Sequence, residues 1–431
     1  MSPIASDEGA EPSENRSRTI GLQQLFFLVL IPFALGYLMS YLFRAVNAVI
    51  APNLVEEVGL TAGELGLLTS VYLLAFATFQ LPLGVLLDRY GPRKVQAILL
   101  CVAALGAFTF GISENKWMLT LGRGLIGLGV SGALMAGFKA VVLWVPTPRR
   151  ALANMVILIF GGIGIMISTV PAEIGVQLIG WRGVFYCLTA MTLLVALLIY
   201  FVVPERPKDL KEKAQVAPLE GLKRIFRDPV FWKITPLVMT IQGSYIGIQT
   251  LWAGPWLRDV AGFDRDLVAV YLLILAVAFL VGTISSAVIA DWLIRKGIDL
   301  LTVMNGYILL FFASQLAIIF EFIELLMPIW FLFGVTGVGG VLAYPWLSSH
   351  VGTELSGRAN TAMNMTLFLF AFLSQYLIGI IIDLFPATST GGYAPVGYQV
   401  AFGCVLGIQI VTFIWYRIGY KNWYRPMERA V

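Results

Sequence analysis

Residues 84–94 read GVLLDRYGPRK and lie between two apolar runs. Asp88, Arg89, Arg93 and Lys94 crowd into this short connection, which marks it as a polar turn at a membrane face. Gly91 stands where a tight turn needs a positive φ, a conformation glycine adopts at low cost. Gly84 is expected to let a neighbouring helix approach closely. Charges gathered at a helix end make contacts that break and re-form as helices slide. Gly84, Asp88, Arg89, Gly91 and Arg93 are therefore candidate gating residues, with Arg358 and the helix that begins beside it as the expected partner of Asp88.

The chain around this turn has the composition of an integral membrane protein. Of its 431 residues, 58% are hydrophobic and 13% charged, against about 25% charged in soluble domains; the mean hydropathy is +0.84. Apolar runs long enough to span a bilayer as helices recur at 24–50, 65–87, 95–112, 117–145, 151–178 and 183–203. They recur again at 230–257, 267–294, 299–320, 325–349, 357–384 and 396–417. The runs lack the strict alternation of barrel strands. An all-α membrane protein of twelve transmembrane helices follows, in two six-helix bundles at 22–203 and 230–420. A polar tail at 1–21, a lysine-rich linker at 204–229 with a short surface helix near 219–226, and a second tail at 421–431 complete the chain. With both termini in the cytoplasm, 22 Lys and Arg lie inside, four outside and three within spans, so the positive-inside rule sets that orientation.

The halves repeat. Gly127 and Gly129 correspond to Gly337 and Gly339, Asn154 to Asn364 and Phe160 to Phe370, all at an offset of 210, and Asp88 has an echo in Asp291. Internal symmetry of this kind is expected of transporters whose halves rock about a site near the midplane. Three ordered motifs carry a resemblance that covers essentially the whole chain. The turn at Gly84–Lys94 resembles the G-x-L-x-D-R-x-G-x-R/K-R/K signature of the major facilitator superfamily, departing from it at Pro92. Arg123, Gly127 and Gly129 match that family's R-x-x-x-G-x-G, and Gly180, Trp181, Arg182 and Phe185 match its GWR-x-x-F. The resemblance implies a major facilitator fold, a central cavity lined by the first and seventh spans, and transport by alternating access.

Other chemistries find no support in the sequence. Cys101, Cys187 and Cys404 sit singly in separate spans, and His350 is the lone histidine, which leaves neither a disulfide framework nor a metal-ligand spacing. A Walker loop is absent, and the 43 glycines are scattered at helix-packing positions. The chain is expected not to be an enzyme and to need no cofactor, metal or nucleic acid; its partners are a small anionic solute, protons and the lipid bilayer, and it is expected to act as a monomer.

The remaining chemistry is intramembrane. Tyr37, Tyr41 and Arg44 follow i, i+4, i+7 spacing on one helical face, with Asn47 a turn further on. An arginine at membrane depth costs about 2.5–3.5 kcal/mol on insertion scales and belongs in a wet cavity or beside a partner. Tyr245, Gln249 and Trp252 on the seventh span mirror these three residues at an offset of 208. These stripes, with Asn364 on the eleventh span, are the candidate substrate walls; the bland alternative is an aromatic and amide seam that packs the halves. Arg123 and Glu173 stand at similar depth on the antiparallel fourth and fifth spans, and are expected to form either a static staple or a proton-coupling pair. Lys139 either draws an anion inward or snorkels to the interface.

An arginine preceded by tyrosines in the first span resembles the anion:cation symporter branch of the superfamily. That branch has an asparagine two residues after the arginine, whereas Asn47 is three after Arg44; its glutamate after G-x-G is replaced by Val130 and Ser131. The G-P-x-x-G-G signature of drug and proton antiporters is absent, since Pro171 follows Val170. The reading is a proton-coupled secondary active transporter of a small organic anion in a bacterial cytoplasmic membrane. Its rivals are a proton-driven exporter of drugs or other amphipathic compounds and a transporter-like sensor or assembly partner that moves nothing.

Overall fold

The computed structural model describes residues 22–205, 218–352, 355–388, 392–419 and 423. The expected tail at 1–21, the expected tail at 421–431 apart from residue 423, and the middle of the linker at 206–217 lie outside the described residues. Among those described, every regular element is helical, as lipid demands of a chain that must satisfy its backbone groups internally.

Among the described residues nine helices are long and apolar enough to cross a membrane, including Ala62–Gly111 and Val170–Val202. Ala62–Gly111 contains two crossings, because the chain turns back at Gly91, where φ is 78° and ψ 161°. Arg150–Ile167 continues into the start of Val170–Val202 to make the fifth crossing; the sixth follows a turn at Gly180, where φ is 71° and ψ 162°. The seventh runs as Phe231–Gly247, a π-turn at Ile248–Trp252, and Ala253–Asp259. These bring the crossings to twelve. The rest are Phe26–Ala45, Lys116–Trp144, Arg265–Arg295, Leu300–Ile319, Ile323–Val351, Ser356–Asp383 and Pro395–Arg417. The short linker helix is Pro218–Arg227.

Side chains and glycines both fix this arrangement. Thr61 opens the second span with a reciprocal capping box to Glu64, and Asn115, Asp264 and Asp299 cap the fourth, eighth and ninth through the backbone N–H three residues on. Each cap satisfies a donor that the helix start leaves orphaned. Gly127 lets the fourth span lie directly on the second: a Cβ there would stand 2.2 Å from the Tyr72 carbonyl oxygen. Gly84 differs from expectation, since a Cβ there would meet no heavy atom within 4 Å, and the same holds at Gly357. The second and eleventh spans are close at the face opposite the Gly91 turn, where Gly66 and Gly379 sit against Gln375 and Ala62. Near the Gly91 face they leave the space beside Gly84 and Gly357 open, so the close approach expected of Gly84 is not made in this arrangement.

The backbone angles at Gly91 and Gly180 lie in a region that only glycine enters freely, at a cost of about 1–3 kcal/mol for other residues. Gly91→Ala should lower stability by that amount, read as an earlier thermal unfolding midpoint in detergent, whereas Gly84→Ala, in open space within a regular helix, should raise the midpoint slightly, a gain of about 0.5–1 kcal/mol.

Candidate substrate site and interface charges

Arg44 is the centre of the site. It lies in the regular helix Ile31–Ala45, and the chain stays helical through Val46, with φ −58° and ψ −22°, into Asn47–Val58. Its guanidinium carbon stands 4.5 Å from the centroid of Tyr41, 5.2 Å from Phe76 on the second span and 4.9 Å from Phe368 on the eleventh. Phe76 and Phe368 touch each other across the two halves, with centroids 4.4 Å apart. Tyr37 stands edge-on to Tyr41 at 5.0 Å. Arg44 is 7% exposed, its Nε has no hydrogen-bond partner, and among the described residues no carboxylate pairs with it. Aromatic faces recover part of its desolvation cost, up to about 2 kcal/mol per contact. They do not use up its forked N–H donors.

Neighbouring polar atoms are also unsatisfied. Asn47 Oδ1, Tyr245 Oη and Gln249 Nε2 are buried without hydrogen-bond partners. Tyr245 is wedged between Phe311 and Phe333, with ring centroids 6.3 and 5.5 Å away. Buried polar groups left unpaired each cost about 1–3 kcal/mol, so a ligand that pairs them binds with that advantage. Asn364 is half-buried one turn from Phe368 on the eleventh span. Trp252 departs from the expected wall: it is fully buried, donates from Nε1 to the Gln375 carbonyl at 2.9 Å, and packs edge-on to Tyr393 and Tyr398. The cause is the π-turn Ile248–Trp252, which breaks the regular 100° step and turns Trp252 away from the stripe of Tyr245 and Gln249.

The expected pair of Arg123 with Glu173 is not formed. Arg123 Nη1 donates to the Phe43 carbonyl at 3.0 Å and its guanidinium faces Tyr72 at 5.1 Å, which secures the first span one residue from Arg44. Glu173 turns the other way, across the halves, to Arg265 Nε at 3.0 Å. Arg265 also donates to Asn53 at 2.8 Å, and Gln177 donates to Asp266 at 2.8 Å. Adjacent antiparallel helices share depth but not facing, and Glu173 lies on the side of the fifth span that meets the eighth. A cavity of about 270 Å³ opens here, lined by Val49, Pro52, Glu173, Arg258, Arg265 and Leu272 among others.

Comparison with known proteins gives this arrangement a family. Residues 33–375 match the profile of the Major Facilitator Superfamily. The chain belongs to that superfamily. It is 26% identical to a probable sulfoacetate transporter of Cupriavidus necator over 62% of this chain and 66% of that protein. It is 25% identical to a probable L-galactonate transporter of Escherichia coli over 85% and 84%. The Escherichia coli hexuronate transporter is 22% identical over 55% and 58%. A bacterial homolog of the human lysosomal transporter Spinster, in an inward-facing and unoccupied conformation, superposes with a TM-score of 0.76 at 15% identity, covering 95% of this chain and all of that one. That likeness is one of fold.

In this major facilitator chain the signature turn is tied to its own half. Lys139 Nζ meets Asp88 Oδ1 at 2.9 Å, so Lys139 reaches back to the Gly91 face. Arg93 donates to the Tyr200 carbonyl at 2.8 Å, and Arg89 lies over the Tyr90 ring. Arg358 fills the space beside Gly221 of the linker helix. Sequence reasoning missed Phe76 and Phe368, which look like ordinary apolar positions; only their joint contact with Arg44 marks them. It also missed Arg265, whose partner is 92 residues away in the other half.

Arg123 here is a structural anchor. Arg123→Met should leave the Phe43 carbonyl unpaired and cost about 1–3 kcal/mol; thermal unfolding should shift accordingly, while the affinity of the folded protein for its solute should stay near the parental value.

Proposed function

We propose that this major facilitator transporter moves a small organic anion by alternating access, with the anion's carboxylate held by Arg44. The single observation that carries the reading is the buried guanidinium of Arg44, which has aromatic neighbours from both halves and no carboxylate partner. A planar guanidinium offers a carboxylate two parallel hydrogen bonds. Tyr37 and Tyr41 then flank the anion, and Tyr245, Gln249 and Asn364 supply neutral contacts from the other half. The names of the relatives support the class, because sulfoacetate, galactonate and hexuronate are all organic anions.

The proposal extends to energetics and placement. Protons move with the anion, and Glu173 is retained as the titratable group at the interface, now facing Arg265. The protein works as a monomer in a bacterial cytoplasmic membrane, with both termini, the linker and the Gly91 turn in the cytoplasm, as the excess of inside Lys and Arg favours. The bundles at 22–203 and 230–420 are the two rocking bodies. In the outward-open state Asp88 exchanges Lys139 for the start of the eleventh span at Ser356–Arg358.

Arg44→Lys keeps the charge but loses the fork. It should weaken binding by about 1.5–3 kcal/mol, roughly 10- to 150-fold, in proteoliposome uptake of a panel of sugar acids, dicarboxylates and sulfonates with and without a pH gradient. Parental uptake by Arg44→Lys would remove the anion assignment; parental uptake without response to the gradient would remove proton coupling alone. An alkaline phosphatase fusion at the C-terminus should be inactive, and an active one would reverse the orientation.

A further inference from the structure

Two carboxylates tie the halves together at the face opposite the Gly91 turn, and the internal repeat relates them. Asp383 follows Glu173 by 210 residues, the offset that also relates Gly127 to Gly337. Asp383 accepts hydrogen bonds from the backbone N–H of Ala62 at 2.8 Å and of Gly63 at 2.7 Å. These are the first two residues of the helix capped by Thr61. Glu173 takes the side chain of Arg265, the first residue of the helix capped by Asp264. Arg265 follows Ala62 by 203 residues, and Asp264 follows Thr61 by the same 203. Each half therefore extends a carboxylate from its fifth helix to the opening residue of the other half's second helix. One contact uses bare backbone donors and the other an arginine at the equivalent position.

Local chemistry does not explain Asp383 where it stands. It is the last residue of Ser356–Asp383, and a negative charge is disfavoured at the C-terminal end of its own helix. The positive start of the second span reverses that penalty, and it does so only across the two halves. The reach is also matched at both ends of this antiparallel pair: Asp383 lies 26 residues after Gly357, and Asp88 lies 26 residues after Ala62. Glu173 is 4% exposed, so its charge too depends on a partner from the other half.

We propose that Glu173 and Asp383 form a symmetric two-point clasp that holds the outer face closed, and that its release opens the site outward. This rests on the alternating-access reading and on the orientation given above. Both contacts must break when the outer ends separate, and neither can form while they are apart.

The test uses the full chain with Cys101, Cys187 and Cys404 replaced by serine and Leu272→Cys added in the wall of the outer cavity. In right-side-out vesicles, a membrane-impermeant maleimide should label the parent slowly. Asp383→Asn or Glu173→Gln should speed labelling about tenfold, since the first removes a charge held at a helix start across the seam and the second one held by an arginine across it, and the double variant should exceed either. Asp299→Asn, which removes a charge at a helix start contained within one half, should label as the parent. Ile308→Cys, buried away from the seam, reports unfolding. Should a single variant also expose Ile308→Cys, the swap of Glu173→Arg with Arg265→Glu decides, because a clasp predicts parental labelling of that swap. Parental labelling of folded Asp383→Asn, Glu173→Gln and their double variant, or fast labelling of the folded swap, overturns the clasp. Labelling needs no solute, so a parent that takes up none of the anions yet shows the expected pattern removes the anion reading and leaves the clasp in place.

Discussion

The buried guanidinium of Arg44 sets the terms for the rest of the site. A charge at this depth carries a penalty of several kcal/mol, and the fold gives it quadrupolar ring faces in place of a counter-ion. Rings hold a cation in position without saturating its donors. Two of those rings, Phe76 and Phe368, come from opposite halves and touch each other. Any motion that parts the second and eleventh spans therefore alters the surroundings of Arg44, which couples the charge mechanically to the seam.

The repeat gives the halves one plan and then departs from it where chemistry is needed. Tyr37 and Tyr41 have counterparts in Tyr245 and Gln249, but the counterpart of Arg44 is the uncharged Trp252, which is turned into the seam to donate to the Gln375 carbonyl. The first half supplies charge and the second supplies neutral hydrogen-bonding groups. The proposed anion site therefore has unlike partners on its two sides.

Much of this was legible in the sequence, and the failures have physical causes. The positive φ of Gly91 could be read from the turn because its requirement is local, and the helical bundle could be read from run length and charge count. Tyr37, Tyr41 and Arg44 could be placed on one face because that stretch is a regular helix. Trp252 could not, since nothing in the sequence announces the π-turn beneath it. The partner of Glu173 was misjudged for a different reason. Depth along a helix follows from residue number, but facing across a bundle depends on packing between distant segments, and Arg265 is reached only through the fold. Gly84 is legible as a glycine that permits contact, while whether the contact is made depends on how far apart the helix ends stand.

The first span runs on as helix past the site, and this has a mechanical meaning. Its backbone stays helical at Val46, with φ −58° and ψ −22°, and Ile50 N–H bonds the Val46 carbonyl at 3.2 Å. Arg44 and Arg123's hold on Phe43 lie inward of that point, while Asn47–Val58 lies outward, with Ala48 pressed against Gly254 of the seventh span. A continuous helix carries a displacement of its outer piece inward, so the contact with the seventh span and the setting of Arg44 do not change independently.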